Sequence, residues 1–423
     1  MKTKRRIFLC CLMTLLMAFV MAVPMSASAA VSETDVVKIG DTGYATLGDA
    51  VAAVPTDGTQ TTITFLKDAT GGGVQVQAGQ NIIFDFDTHT YTVGAPTVGS
   101  TGTETSGFQL LKGSNVTMQN GALKGSDYQN LRIMIQNYCD LNIVDMDLDA
   151  SNAPQCDYVM SNNHGDVSIT GETNITAAEG KNAFDVYYWP AGGYGDGVSV
   201  TVDTTGTISG NIEYGSDGTD KGKESVADNA KLVINDGFID GNLSTSGLSA
   251  NNDTGIEVSG GAFTGDSLAK YVTAEDVVKI SADGGNTITV LGEENINDVL
   301  DEIENPENVT VTIEKLADDT VLNLPVGITV ENGTGDIIEI DGEELSPGAT
   351  TTVKDNDPTE EPTTPTNPTN PANPTTNQQG TAATQSDTSP QTGDDFNMGL
   401  AFAIMALAGL AAVGTVVVRR ITN

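Results

Sequence analysis

Three aspartates at alternate positions, Asp145, Asp147 and Asp149 in "DMDLD", are the first residues whose spacing invites chemistry. On a β-strand alternate side chains share one face, so the three carboxylates would stand together. Such a group could hold calcium, or serve as the acid cluster of a polysaccharide lyase or hydrolase. A lyase would also need a basic residue to take a proton. Arg132, in "NLRIMIQNY", is the one arginine between the N-terminal segment and the C-terminal tail. The plainer reading is a solvated outer face opposite Val144, Met146 and Leu148, and the acidity of the whole chain favours it.

A second group is aromatic. The Pro/Gly-rich stretch "DVYYWPAGGYGDG" gathers Tyr187, Tyr188, Trp189 and Tyr194, including the only tryptophan of the chain. These rings would either contact a ligand or cover a widened part of the core. His89 and His164 are far apart in sequence and no nucleophile pattern accompanies them, so a turn or stacking role is expected of each. Beyond the first thirty residues the cysteines are Cys139 and Cys156. A disulfide and two buried thiols both fit that spacing. No Cys/His metal pattern occurs, which leaves calcium at the aspartates as the one cation suggested and no other cofactor.

Short β-branched strands separated by Gly, Asn, Asp and Ser must position these groups. "NVTMQNGALKG" (115–125), "KLVINDGFIDG" (231–241) and "GIEVSGGAFTG" (255–265) share one template, apolar-x-apolar-x-x-Gly-x-apolar-x-Gly. Looser copies begin near 140, 166 and 198. With Val116, Leu141, Val167, Val200, Leu232 and Ile256 as marks, the steps are 25, 26, 33, 32 and 24 residues. Alternation places the apolar pair on one face, and the glycine supplies a corner that favours positive φ. One such circuit cannot bury its own apolar side, but stacked circuits can. The expected fold is therefore all-β, a parallel β-helix over 31–293. A β-sandwich is the rival, and it fits the whole-circuit repeat less well.

The ends of such a column need covers. "ATLGDAVAAVP" predicts a short capping helix, with Thr46 as N-cap, Leu47, Ala50, Val51 and Val54 inward, and Pro55 as stop. "NINDVLDEIENP" repeats that signal with Ile296, Val299, Leu300, Ile303 and Pro306. The residues 294–352 read as a shortened copy of the opening, either a small solenoid of its own or a cover for the first.

"YATLGDAVAAVPTDGTQTTITFLKDAT", "NIIFDFDTHTYTV" and "GGAFTGDSLAKYVTAEDVVKI" resemble the right-handed parallel β-helix repeats of Gram-positive cell-surface proteins. The resemblance covers most of 40–293. Pectate-lyase-like enzymes share that architecture, so the fold does not choose an activity.

Both termini carry processing signals. Residues 1–30 read as a secretory signal peptide: Lys2, Lys4, Arg5 and Arg6, an apolar run, then "SASAA". Residues 353–388 form a Pro/Thr/Asn-rich linker in which Pro362, Pro365, Pro368, Pro371 and Pro374 recur every third residue, the period of polyproline II. Some thirty residues in that state span roughly 90–100 Å. Residues 389–423 hold Ser389, Pro390, Gln391, Thr392 and Gly393, then an apolar transmembrane-length segment, 398–418, and finally Arg419 and Arg420. This order is similar to that of a sortase cell-wall sorting signal, with Ser389 where the common form has Leu. The resemblance implies cleavage between Thr392 and Gly393 and transfer of Thr392 to peptidoglycan, after transient retention at the plasma membrane.

Between residues 30 and 392 there are 13 basic and 55 acidic residues, a net charge of −42. That balance disfavours nucleic acid and anionic membranes as partners. The sequence thus points to a non-enzymatic wall-anchored surface protein of a Gram-positive bacterium, an adhesin or ligand-binding protein with a host or neighbour-cell glycan or protein as partner. A wall-tethered polysaccharide lyase or glycoside hydrolase is the alternative, and a passive structural coat the third.

Overall fold

Alternating apolar residues in this chain meet their counterparts one circuit away. A computed structural model describes residues 31–216, 225–245, 248, 252–282, 287–354 and 418–420. The protein is mostly β-strand, and parallel pairing dominates among the described residues from Gln60 to Thr264. Val116 opposes Leu141, Leu141 opposes Val167, Val167 opposes Val200, Val200 opposes Leu232, and Leu232 opposes Ile256. The repeat marks therefore coincide with the strand register. All six side chains are buried. A slip of one residue would turn each of them out to solvent, which is why the pattern specifies the register.

Three runs of parallel strands result. The first begins with Gln60–Phe65 and Asn81–Asp85 and passes through the leading halves of Asn115–Gly125 and Asp140–Asp149. The second begins with Ala69–Gly71 and Thr90–Val93 and takes the trailing halves of the same long strands. The third, a separate sheet, stacks Val74–Val76, Thr103–Leu110, Ile133–Asn137, Tyr158–Asn162, Asn182–Tyr188, Asn211–Ser216 and Leu243–Ser244. The chain visits the runs in that order and returns to the first. Inward side chains form one continuous core, in which Phe65 stacks on Phe86 at 4.4 Å and Phe84 meets Phe108 edge-on at 5.6 Å.

The corner between the first and second runs is made differently from circuit to circuit. Gly237 (φ +115°) and Gly261 (φ +76°) adopt the positive φ expected of the template glycine. In 115–125 the left-handed residue is instead Asn120 (φ +62°), and in 140–150 it is Asp145 (φ +52°). Asn and Asp tolerate that region because their short polar side chains can bond locally. Gly121 is required for a different reason: a Cβ there would lie 2.5 Å from Phe86 Cβ and 2.6 Å from the His89 carbonyl oxygen.

Both ends are covered. The helix Leu47–Ala53 starts at Thr46, whose Oγ1 accepts from the Asp49 N–H at 3.1 Å, and it buries Leu47, Ala50 and Val51. Val54 and Pro55 end it, because a residue before proline is driven out of the α region. At the other end Gly261–Thr264 pairs antiparallel with Ile288–Leu291, which pairs with Val277–Ala282, which pairs with Val309–Lys315. The smaller unit thus continues the sheet and covers the column. It has its own apolar cluster, which joins Ile296, Val299 and Leu300 of the helix Glu293–Asp301 to Val278, Ile280 and Val290. Val309–Lys315 pairs parallel with Thr329–Asn332, as Gln60–Phe65 does with Asn81–Asp85 after the first helix. The echo in sequence is therefore an echo in topology.

The residues read as a signal peptide (1–30), residues 355–388 of the expected linker, the expected sorting motif Ser389–Gly393 and residues 398–417 lie outside the described residues, whereas Val353, placed in the linker from sequence, is buried and exchanges backbone hydrogen bonds with Gly327 and Ile328. Val418–Arg420 forms a short antiparallel strand on Ile338–Ile340. Among the described residues no helix is long and apolar enough to cross a membrane.

Candidate functional site

The third sheet brings polar and aromatic groups together on its outer side. Inward positions of its middle strands are apolar: Ile135, Met160, Phe184 and Ile212 lie in register. The residues that follow them, Gln136, Ser161, Asp185 and Glu213, therefore form a ladder on the opposite face. Two residues further on, Tyr138, Asn163, Tyr187 and Gly215 form a second ladder.

Asp185 is 4% exposed. Its carboxylate accepts from the Asn162 N–H and from Ser161 Oγ at 2.9 Å. Burial pushes its pKa from 3.8 up to about 8; the two hydrogen bonds oppose that shift and nearby Glu213 adds to it. Tyr158 Oη donates to Glu213 Oε2 at 2.6 Å. Between their strands runs Asn182–Tyr188, so the tyrosine side chain straps across the strand that carries Asp185. Burial, then the bond to Glu213, raises the Tyr158 pKa. At the leading edge Asp157 receives Arg132 (Nη2 at 2.6 Å) and Lys181 (Nζ at 2.7 Å). Desolvation opposes ionisation there, but the two cations hold the carboxyl below its usual range.

The insertion after Tyr188 folds back over two strands. Tyr194 stacks on Tyr138 at 4.5 Å and on Trp189 at 5.7 Å, and His164 lies 5.8 Å from Tyr194. Lys112 pairs with Asp196 and places its ammonium 6.0 Å from the Tyr194 ring centre. The indole also packs against Gly192, where a Cβ would come within 2.5 Å of Trp189 Cδ2. Tyr187 lies over Gly215, with ring carbons 3.4 Å from the position a Cβ would take. Of the four aromatic candidates, Tyr187, Trp189 and Tyr194 are half-buried on this face, whereas Tyr188 points inward and belongs to the core. The core-covering alternative thus holds for Tyr188, while the other three rings lie on the outer face.

The aspartate group does not assemble as the alternation suggested. Asp145 occupies the corner, which breaks the alternation, and its Oδ1 accepts from the Glu172 N–H at 3.0 Å. Asp147 and Asp149 face Lys124 at 3.8 and 3.4 Å. Arg132 is held by Asp157 rather than by these carboxylates. Among the described residues no three His, Cys, Asp or Glu side chains are grouped to hold a metal ion. His89 meets Asp68 at 3.4 Å beside a turn.

The disulfide considered for Cys139 and Cys156 is not formed: both are free and buried. Tyr158 opposes Ile133, so Cys156 precedes the start of the third-sheet strand and Cys139 follows its end. The strand Ile133–Asn137 alone separates those levels by roughly 13 Å at ~3.3 Å per residue, well beyond disulfide reach. Burial pushes the Cys139 thiol up to about 12 and the Cys156 thiol to about 11.

Sequence reading missed Tyr138, Tyr158, Asp185 and Glu213. Aligning "RIMIQNY", "DYVMSNNH", "NAFDVYY" and "NIEYG" would have brought them into rows. The loops between these strands differ in length, so no fixed period advertises that alignment. No protein-family model matches the chain, and no curated protein or solved structure matches it.

Proposed function

We propose that the chain is a sortase substrate of the Gram-positive cell wall: exported, joined to peptidoglycan through Thr392, and folded as a right-handed parallel β-helix that presents a ligand-binding face. The attachment rests on one observation, the order of signal peptide, proline-rich spacer, Pro-x-Thr-Gly, apolar segment and basic end within a single chain. Three repeating runs of parallel strands, with a cover at each end, support the β-helix reading. The aromatic and polar face of the third sheet supports a binding role, hence an adhesin. Polysaccharide cleavage is the weaker reading, because Arg132 is paired with Asp157 and Lys124 faces both Asp147 and Asp149.

The test of attachment is mass spectrometry of wall digests. C-terminal fragments ending at Thr392 and carrying a wall peptide are expected. Surface protein that retains Asn423 would refute the attachment.

A further inference from the structure

We propose that the outer face of the third sheet binds an uncharged polysaccharide, laid across the strands from Tyr138 to Glu213. The proposal rests on the reading of this domain as a displayed ligand-binding module and names the ligand class. Three observations carry it.

Charge comes first. Arg132 and Lys181 share Asp157, and Lys112 binds Asp196, so each cation this face offers among the described residues is already paired with a carboxylate. A polyuronate or a sulfated chain would have to break those pairs while approaching a protein region of net charge −42. An uncharged chain faces neither cost.

Surface chemistry comes second. Tyr187, Trp189 and Tyr194 share this face with Glu213 and the Tyr158 hydroxyl, which bond to each other, while Asn163 is buried and directs Nδ2 toward the Tyr187 carbonyl at 3.5 Å. Sugar rings offer an apolar face for aromatic contact and a rim of hydroxyls that donate and accept. Rings set beside a carboxylate and a phenol hydroxyl match that pair of demands.

Dimensions come third. Four parallel strands carry the strip, so it measures about 14 Å across at ~4.8 Å per strand. That is long enough for an extended chain of several sugars, and it is backed by a fixed sheet rather than by loops alone.

Trp189 is the only tryptophan in the chain, so its fluorescence reports directly on this face. The full chain is titrated with galactomannan, xylan and a mixed-linkage β-glucan, and in parallel with polygalacturonate. Saturable change in Trp189 emission with at least one neutral polymer is expected, little altered by salt, with none from polygalacturonate. Binding measured by affinity electrophoresis should weaken about tenfold or more in Trp189→Ala and in Tyr187→Ala, each checked for an unchanged circular dichroism spectrum. Salt-sensitive binding of polygalacturonate in preference to the neutral polymers overturns the proposal. So does emission that none of the three neutral polymers moves. A protein that still adheres to cells through Trp189 under either result keeps the display reading and loses only the ligand class.

Discussion

Replacing Asp185 by Asn should make the protein insensitive to a pH change that the native chain feels. The buried carboxyl has its folded pKa raised from 3.8 to about 8. Between those values the folded state holds a proton that the unfolded chain has released. Stability from this group is therefore complete below the unfolded value and is lost as pH rises through the folded one. A shift of about four units corresponds to an upper limit of roughly 6 kcal/mol at 1.36 kcal/mol per unit. Between pH 5 and pH 9 the native chain crosses about three of those units, a loss of roughly 4 kcal/mol. Asparagine reproduces the neutral carboxyl in shape: its Oδ1 can accept from the Asn162 N–H, and its Nδ2 can donate to Ser161 Oγ. The assay is thermal unfolding of both proteins at pH 5, 7 and 9. Near pH 5 the two melting temperatures should agree to within the effect of about 1 kcal/mol. By pH 9 Asp185→Asn should melt at least ~5 °C above the native chain, given 2–4 °C per kcal/mol for domains of this size. A constant offset between the two curves from pH 5 to pH 9 would show that Asp185 is ionised in the folded state and would refute the reasoning.

Two further predictions concern packing, beside those made for wall attachment and polysaccharide binding. Gly121→Ala should destabilise by roughly 1–3 kcal/mol, because its Cβ would meet Phe86 Cβ at 2.5 Å and the His89 carbonyl at 2.6 Å. Chemical denaturation checks this, and an unchanged midpoint would contradict the corner geometry. Cys139 and Cys156 should resist a thiol reagent in the native protein at pH 8 and should both react once it is unfolded, since buried thiols with pKa values of about 12 and 11 carry little thiolate. Rapid native labelling of either cysteine would be the contrary result.

The repeat marks show how much of the fold was legible in the chain itself. Val116, Leu141, Val167, Val200, Leu232 and Ile256 could be aligned because each opens an apolar alternation, and a period-two pattern with one buried face admits one register. The capping helices were legible for a similar reason: Thr46, the i, i+3, i+4, i+7 stripe and Pro55 are local signals. Trp189 and Tyr194 could be flagged from composition and from the 33-residue step. Alternation failed at Asp145, where a left-handed corner interrupts the strand. Nothing local distinguishes Tyr188, which is buried, from Tyr187, which lies outside, except the parity of the strand that carries them.

The sequence by itself determined the β repeat and its register, because each is written in nearest neighbours or in a short period. Only the tertiary structure decided what shares a face. Gln136, Ser161, Asp185 and Glu213 come from four circuits, Tyr194 reaches Tyr138 across 56 positions, and Arg132 finds Asp157 rather than the "DMDLD" carboxylates. Such meetings depend on how many residues each intervening loop contains and where it turns back. Loop length is weakly constrained by energy, since doubling it costs only about 0.6 kcal/mol in closure entropy, so it leaves little trace in the sequence.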